Sequence, residues 1–204
     1  MAGRPLRPRL PGLHRNHVDG PLTVLSAGAA RCQHWPGLLS SESLDDWVDR
    51  IDWRQNRITV YGKTYDEPRL TAWFGPAYRY SSIDWPNIQI PVELNALNQL
   101  ISRKLNCREF DAVLCNLYRD GQDAMGWHRD NESEIDPAII ASVSFGAARD
   151  FKVRHRETKE GWTVSLGHGD LLAMEHLQTD FDHALPRRTR VDAPRLNLTF
   201  RHFR

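Results

Sequence analysis

The sequence predicts a mainly β domain of the two-sheet sandwich or jelly-roll kind, with flanking helices. Three observations predict it. After Cys107 the chain becomes a succession of short β-rich segments separated by Gly, Pro and Asp turns. The last of these, Arg195-Leu196-Asn197-Leu198-Thr199-Phe200-Arg201, alternates polar and apolar side chains, as a strand with one polar and one apolar face does. Helical periodicity is confined to two stretches before Cys107.

Residues 1–36 carry Pro5, Pro8, Pro11, Gly12, Gly20, Pro21 and Pro36 and read as an Arg/Pro-rich arm, partly flexible. Residues 37–106 hold the helices. Leu44, Trp47, Val48 and Ile51 fall at helical spacing behind Ser40, Ser41 and Ser43, which offer N-caps. A second helix opens with Pro91 in its first turn and places Leu94, Leu97, Ile101 and Leu105 on one stripe. Between them, 58–65 reads as a hairpin with Gly62-Lys63 near its tip. Residues 107–204 form the sheet-rich core, with strands expected over 110–118, 139–145, 151–155, 162–165, 171–174, 181–184 and 195–203. No repeat is apparent, and 204 residues fit one domain plus an N-terminal extension, enough to bury about 70% of the unfolded surface.

The motifs that carry chemistry lie in this core. Arg195, Asn197, Thr199 and Arg201 share one strand face, and two guanidiniums there would form a pocket for a dicarboxylate, because the Arg fork meets carboxylate oxygens bidentately. His128 and Asp130 are two apart and share a face if extended; with His183 they complete a set of two histidines and one carboxylate. Such a set occupies three positions of an octahedral iron(II) and leaves the rest open for a cosubstrate and oxygen. A bare His-x-Asp carries little information, since the chain has three. His17-Val18-Asp19 lies in the arm, and His168-Gly169-Asp170 reads as a turn into a buried strand. Asp182 or Glu132 would fix the histidine tautomers.

Asn116-Leu117-Tyr118, His128-Arg129-Asp130, His183, the Arg195–Arg201 run and the text Ile139-Ile140-Ala141-Ser142-Val143-Ser144-Phe145-Gly146-Ala147 together resemble the AlkB family of iron(II)- and 2-oxoglutarate-dependent nucleic-acid dealkylases. The likeness begins near Val60 and reaches the end of the chain, and its motifs agree in order and spacing. It implies a double-stranded β-helix whose open mouth holds Fe(II) on His128, Asp130 and His183. It also implies that Asn116, Tyr118, Arg195, Asn197, Thr199 and Arg201 bind 2-oxoglutarate. With O2 as second cosubstrate, 2-oxoglutarate is split to succinate and carbon dioxide, the N-methyl carbon is hydroxylated, and the product loses formaldehyde.

For substrate, the resemblance points before the core. Tyr61, beside Gly62 and Lys63, is similar to the wedge some family members insert into a duplex; a base within a stack must be flipped out to react. Arg69-Leu70-Thr71-Ala72-Trp73-Phe74-Gly75 and Tyr78-Arg79-Tyr80-Ser81 are similar to the family's nucleotide-recognition lid, where Trp73, Phe74, Tyr78 and Tyr80 would meet the base. Close relatives often carry an acid directly after the His-x-Asp pair; here Asn131 stands there, followed by Glu132, so either Glu132 supplies that charge or the pocket prefers a less cationic lesion. Arg149, Lys152, Arg154, Arg156 and Lys159 either hold phosphate or, with Asp150, Glu157 and Glu160 interleaved, form a solvated mixed-charge face.

Net charge is +1, yet Arg4, Arg7, Arg9 and Arg15 precede the first acid and Arg187, Arg188, Arg190, Arg195, Arg201 and Arg204 crowd the end, so nucleic-acid binding would depend on local patches. Cys32, Cys107 and Cys115 make no CxxC and an odd count, which fits a reducing cytoplasmic compartment, or a nuclear one in a eukaryote. No apolar run approaches the ~20 residues of a membrane span. The arginine-rich, acid-poor start has the composition of a transit peptide, against which its prolines count. The expected activity is oxidative demethylation of bases of the N1-methyladenine and N3-methylcytosine type in single- or double-stranded DNA, by a monomer. An RNA demethylase with the same chemistry fits the same residues. A non-catalytic cupin-like nucleic-acid-binding module is the reading from another class, and the intact ligand set with its arginine pair counts against it.

Overall fold

Alternation along a single strand organises the molecule. The computed structural model describes residues 20–60, 62–80 and 83–204, apart from the side chains of Thr59, Val60 and Tyr80. In it the last strand is buried on both faces. Leu196, Leu198 and Phe200 enter the core cluster that lies under the helices, while Arg195, Asn197, Thr199 and Arg201 line a cavity on the other side.

In chain order the elements are β1 (Leu22–Ala27), β2 (Ala30–Trp35), α1 (Leu44–Arg50), β3 (Arg57–Val60), β4 (Lys63–Asp66), β5 (Leu70–Phe74), β6 (Tyr78–Tyr80), β7 (Ile83–Trp85), α2 (Val92–Leu105), β8 (Ala112–Tyr118), β9 (Met125–His128), β10 (Ile135–Gly146), β11 (Arg149–His155), β12 (Gly161–Leu166), β13 (Asp170–Glu175), β14 (Phe181–Leu185) and β15 (Arg195–Phe203). A seven-stranded antiparallel sheet runs β1-β2-β13-β10-β15-β8-β5, and a four-stranded sheet runs β12-β11-β14-β9. From β8 onward the chain passes back and forth between the two sheets. That crossing pattern is the jelly roll: β13-β10-β15-β8 faces β12-β11-β14-β9, and residues far apart in sequence are brought to one mouth.

The helices cover the outer face of the larger sheet. Ser43 caps α1, its Oγ accepting from the Asp46 amide at 3.3 Å, and Trp47 is the residue that α1 buries. Ile51, expected inside the helix, is its extended C-cap and still enters the core. Pro91 is the N-cap of α2, and Asn106 ends that helix in the left-handed region at φ 52°. Leu94, Leu97 and Ile101 of α2 meet Val113, Cys115, Leu196, Leu198 and Phe200 of the sheet, each such side chain contributing roughly 1.5–3 kcal/mol on burial. Asn98 ties the helix to the sheet: its Nδ2 donates to the Phe110 carbonyl at 2.8 Å and its Oδ1 accepts from the Phe110 amide at 2.9 Å.

Two expectations are corrected. Residues 22–35, read as part of a loose arm, form β1 and β2, with β2 hydrogen-bonded to β13 from Trp35↔Leu171 to Arg31↔Glu175. Their burial decides this: Leu25, Ala30, Cys32 and Trp35 are core residues, which the surrounding Pro and Gly conceal in the sequence. The earlier part of the arm, including His17-Val18-Asp19, lies outside the described residues. The jelly-roll sheet is not confined to 107–204 either, because β1, β2 and β5 extend it at both edges. The 58–65 hairpin forms as expected, with Gly62 in its turn at φ +75° and Lys63 beside it, paired with Val60 as the first residue of β4.

His168-Gly169-Asp170 is the expected turn into a buried strand. Asp170 accepts from the amides of Gly37 and Gly167 and lies 2.9 Å from His34 Nε2, while Gly169 adopts φ +77° against the backbone of Leu39 and Ser40. Among the described residues no helix is long and apolar enough to cross a membrane.

Candidate active site

β9 and β14 are neighbours in the smaller sheet, and His128 pairs directly with His183 across them. The two rings lie 4.2 Å apart, edge to face. Asp130, just past β9, places Oδ1 3.9 Å from His128 Nε2. One ligand-capable atom from each of His128, Asp130 and His183 lies within 4.8 Å of the others, the size of a single-ion site.

The electrostatics prepare these groups for a cation. Burial pushes the pKa of His128 down, and that of His183 down to about 3, so both imidazoles are neutral near pH 7. Burial would raise Asp130, but Arg201 and the two imidazoles more than offset it and hold the carboxyl at about 2. Two neutral imidazoles and an ionised carboxylate are what a divalent metal of the iron type accepts. His128 is oriented by backbone: its Nδ1 is 2.8 Å from the Gly126 carbonyl, which directs Nε2 toward Asp130. The Asp130 amide donates to Gln178 Oε1 at 3.0 Å. Neither acid expected to orient the histidines does so. Asp182 faces outward, 3.1 Å from Arg154 Nη2 and near Arg129 and Arg156, and Glu132 interacts with Tyr78.

The same cavity is lined by Asn116, Tyr118, Arg195, Asn197, Thr199 and Arg201. Register explains it: β15 pairs with β8 so that Arg195 faces Tyr118 and Asn197 faces Asn116. The two arginines differ in their partners. Arg201 Nη2 donates to Asp130 Oδ1 at 2.9 Å. Arg195 meets no carboxylate among the described residues; its Nη2 donates to Ser144 Oγ at 2.7 Å, its Nε has no partner, and Tyr118 lies beside it. Burial lowers its pKa only to about 10, so a full positive charge stands 2% exposed in the wall. A buried cation of this kind fits an anionic ligand. Asn197 is held by Ser142, the Val143 carbonyl and Thr199.

The substrate candidates divide. Tyr78 is buried, and its interaction with Glu132, whose pKa burial raises, places both next to Asp130 and Arg201. Trp73 does not reach the cavity: it is 1% exposed, donates Nε1 to the Pro76 carbonyl at 2.9 Å and stacks on Tyr78 at 5.0 Å. Phe74, on the opposite face of β5, packs against the helix-side core. Asn131 is exposed and, with Glu132, lines a separate shallow pocket beside Arg129, Gln178 and Arg204. Lys63 is exposed on β4; Tyr61 and the Tyr80 side chain lie outside the described residues. Arg149 is not a phosphate contact, since it is buried and donates to the carbonyls of Asp120, Asp123 and Pro186.

Sequence reasoning gave no role to Gln178, Ser142 and Ser144, and took Arg69 only as the start of the lid segment. Arg69 is 3% exposed in the cavity wall. A lone arginine ahead of an apolar run reads as solvated, and no local signal marks it as buried. The serines were legible in principle, since alternation puts Ser142 and Ser144 of β10 on one face.

A family model described as the 2OG-Fe(II) oxygenase superfamily matches residues 31–201. The chain is 35% identical over 198 residues to the Homo sapiens alpha-ketoglutarate-dependent dioxygenase alkB homolog 3, covering 88% of this chain and 68% of that protein. It is 42% identical over 175 residues to the Homo sapiens DNA oxidative demethylase ALKBH2, covering 78% of this chain and 66% of that one. The chain belongs to the AlkB family of 2OG-Fe(II) oxygenases. The solved structure of OsALKBH1 superposes on 89% of this AlkB-family chain and all of its own, with TM-score 0.54 and 17% identity, a likeness of fold. An AlkB-family dioxygenase uses Fe(II), 2-oxoglutarate and O2, and the His128-Asp130-His183 group offers the metal a site.

Proposed function

We propose that this dioxygenase removes alkyl groups from ring nitrogens of nucleobases in DNA, with lesions of the N1-methyladenine and N3-methylcytosine type as substrates. The observation that carries it is one cavity joining a metal-ready triad to a buried guanidinium that meets no carboxylate among the described residues, in a chain whose relatives include a DNA oxidative demethylase. His128, Asp130 and His183 would hold Fe(II), which when bound supplies the oxidising power for hydroxylating a carbon. Arg195 would clamp the far carboxylate of 2-oxoglutarate, with Tyr118 and Asn116 beside it. Arg201 keeps Asp130 ionised and fixed, and its Nε has no partner among the described residues.

In balance, one oxygen atom of O2 enters succinate as 2-oxoglutarate loses carbon dioxide, and the other enters the N-methyl group; the N-hydroxymethyl product then releases formaldehyde and the repaired base. Tyr78 and Glu132, which interact with each other, would meet an entering base, and Glu132 would supply the negative charge suited to a cationic one. The β3–β4 hairpin, with Tyr61 and Lys63, would support flipping from a duplex. The test is release of formaldehyde and succinate across methylated single-stranded DNA, double-stranded DNA and RNA oligomers. Turnover of DNA above RNA is expected; succinate without formaldehyde on every oligomer would refute base dealkylation.

A further inference from the structure

A second buried ion pair stands beside the cavity, with Arg69 in the lining, and neither of its members is among the residues assigned to the metal or the cosubstrate. Glu67 and Arg69 are each 3% exposed, and Arg69 Nη2 donates to Glu67 Oε1 at 2.9 Å. Arg69 Nε donates to Asn116 Oδ1 at 2.8 Å, which holds the guanidinium against β8 in the lining of the cavity that His128 and Asp130 also line. Glu67 is itself fixed: Asn56 Nδ2 reaches its Oε2 at 3.5 Å and Thr71 Oγ1 at 2.5 Å, and Gln55 Nε2 donates to its carbonyl.

The charges around the cavity make this pair consequential. Three arginines line it, Arg69, Arg195 and Arg201. Asp130 neutralises Arg201, and Arg195 is left for a dicarboxylate. Arg69 would stand as uncompensated charge if Glu67 were absent, in a cavity that His128 and Asp130 also line. Alkylation at N1 of adenine or N3 of cytosine makes the base cationic, so any unpaired cation in the wall opposes its entry.

We propose that Glu67 is a specificity-determining residue: by neutralising Arg69 it makes the cavity tolerant of a cationic nucleobase. The proposal rests on the base-dealkylation reading above and adds a residue that selects among lesions by charge.

Glu67→Gln preserves the shape and an acceptor for Arg69 while removing the charge. Wild type, Glu67→Gln and the charge-balanced pair Glu67→Gln with Arg69→Gln should be compared on oligomers carrying N1-methyladenine and on oligomers carrying neutral ethenoadenine. Two readouts apply, kcat/KM of the iron-loaded enzyme and equilibrium affinity of the metal-free protein for the same oligomers. Glu67→Gln should lose on the order of tenfold on the cationic lesion relative to the neutral one, the size expected for unit charges about 10 Å apart at an effective dielectric of about 20. The double variant should recover the wild-type preference. Equal losses on both lesions, or a double variant that does not recover, overturn the proposal. Where Glu67→Gln does not fold, the double variant still decides, since a preference shifted against the cationic lesion contradicts charge balance. A wild-type enzyme that turns over neither oligomer refutes the dealkylation reading itself, an outcome separate from any change in ratio.

Discussion

Arg201 and Asp130 form a buried ion pair, Nη2 to Oδ1 at 2.9 Å, with both side chains under a tenth exposed. A metal-ligand candidate and a cosubstrate-clamp candidate are thus one electrostatic unit, and the two arginines of the Arg195–Arg201 run are not equivalent. Removing either member of such a pair leaves an uncompensated buried charge, which costs about 3–5 kcal/mol.

Ligand variants should therefore divide by stability. His128→Ala and His183→Ala should abolish turnover and lower Fe(II) affinity while the fold persists, because each imidazole is neutral and loses no ionic partner. Asp130→Ala should abolish turnover and also lower the unfolding midpoint, since it strands Arg201. Fe(II) titration with thermal unfolding checks both, and near-wild-type demethylation by any of the three would refute the metal assignment.

The arginines should separate in the same way. Arg195→Lys keeps the charge but loses the fork, so apparent affinity for 2-oxoglutarate should fall by roughly 1.5–3 kcal/mol with Fe(II) affinity retained. Arg201→Lys should weaken metal binding and stability together, through Asp130. Calorimetric binding of 2-oxoglutarate and of the metal distinguishes them; unchanged 2-oxoglutarate affinity in Arg195→Lys would mean that Arg195 is not the clamp.

Acid should destabilise the metal-free protein earlier than its surface carboxylates require. Unfolded, His183 takes a proton near its ordinary 6.5, whereas folded it does so only near about 3. The unfolded chain binds more protons throughout that window, so stability falls as pH drops through it. Asp130 adds loss in the same direction, its folded value of about 2 lying below its ordinary 3.8. Denaturant midpoints of metal-free protein should decline from pH about 6.5 downward, by on the order of a few kcal/mol in all. A flat midpoint down to pH about 4.5 would contradict burial of a neutral His183.

Tyr61→Ala should slow repair of a methylated base in double-stranded DNA far more than in a single strand, because flipping from a duplex must overcome pairing and stacking. The expectation rests on the position of Tyr61 between paired Val60 and Gly62 at φ +75°. Equal losses on both substrates would make Tyr61 a packing residue.

The sequence by itself determined what short-range periodicity encodes. The alternation of Arg195–Phe203 states which side chains face the cavity and which face the helices, and the two helical stripes and Ser43 mark α1 and α2. His128, Asp130 and His183 were legible too, because their types and order suffice to name a ligand set. Tertiary structure decided whatever depends on partners distant in the chain. Register across β9 and β14 brings His128 onto His183, and the jelly-roll crossings give Arg201 rather than Arg195 to Asp130. An aromatic on a strand has two candidate faces, and only the packing of Trp73 against Tyr78 and Phe203 removes it from the cavity. Burial of Glu67 with Arg69 is of the same kind. Desolvating a charge requires a partner at contact distance, and its hold on Asn116 comes from a strand far along the chain, which no local pattern announces.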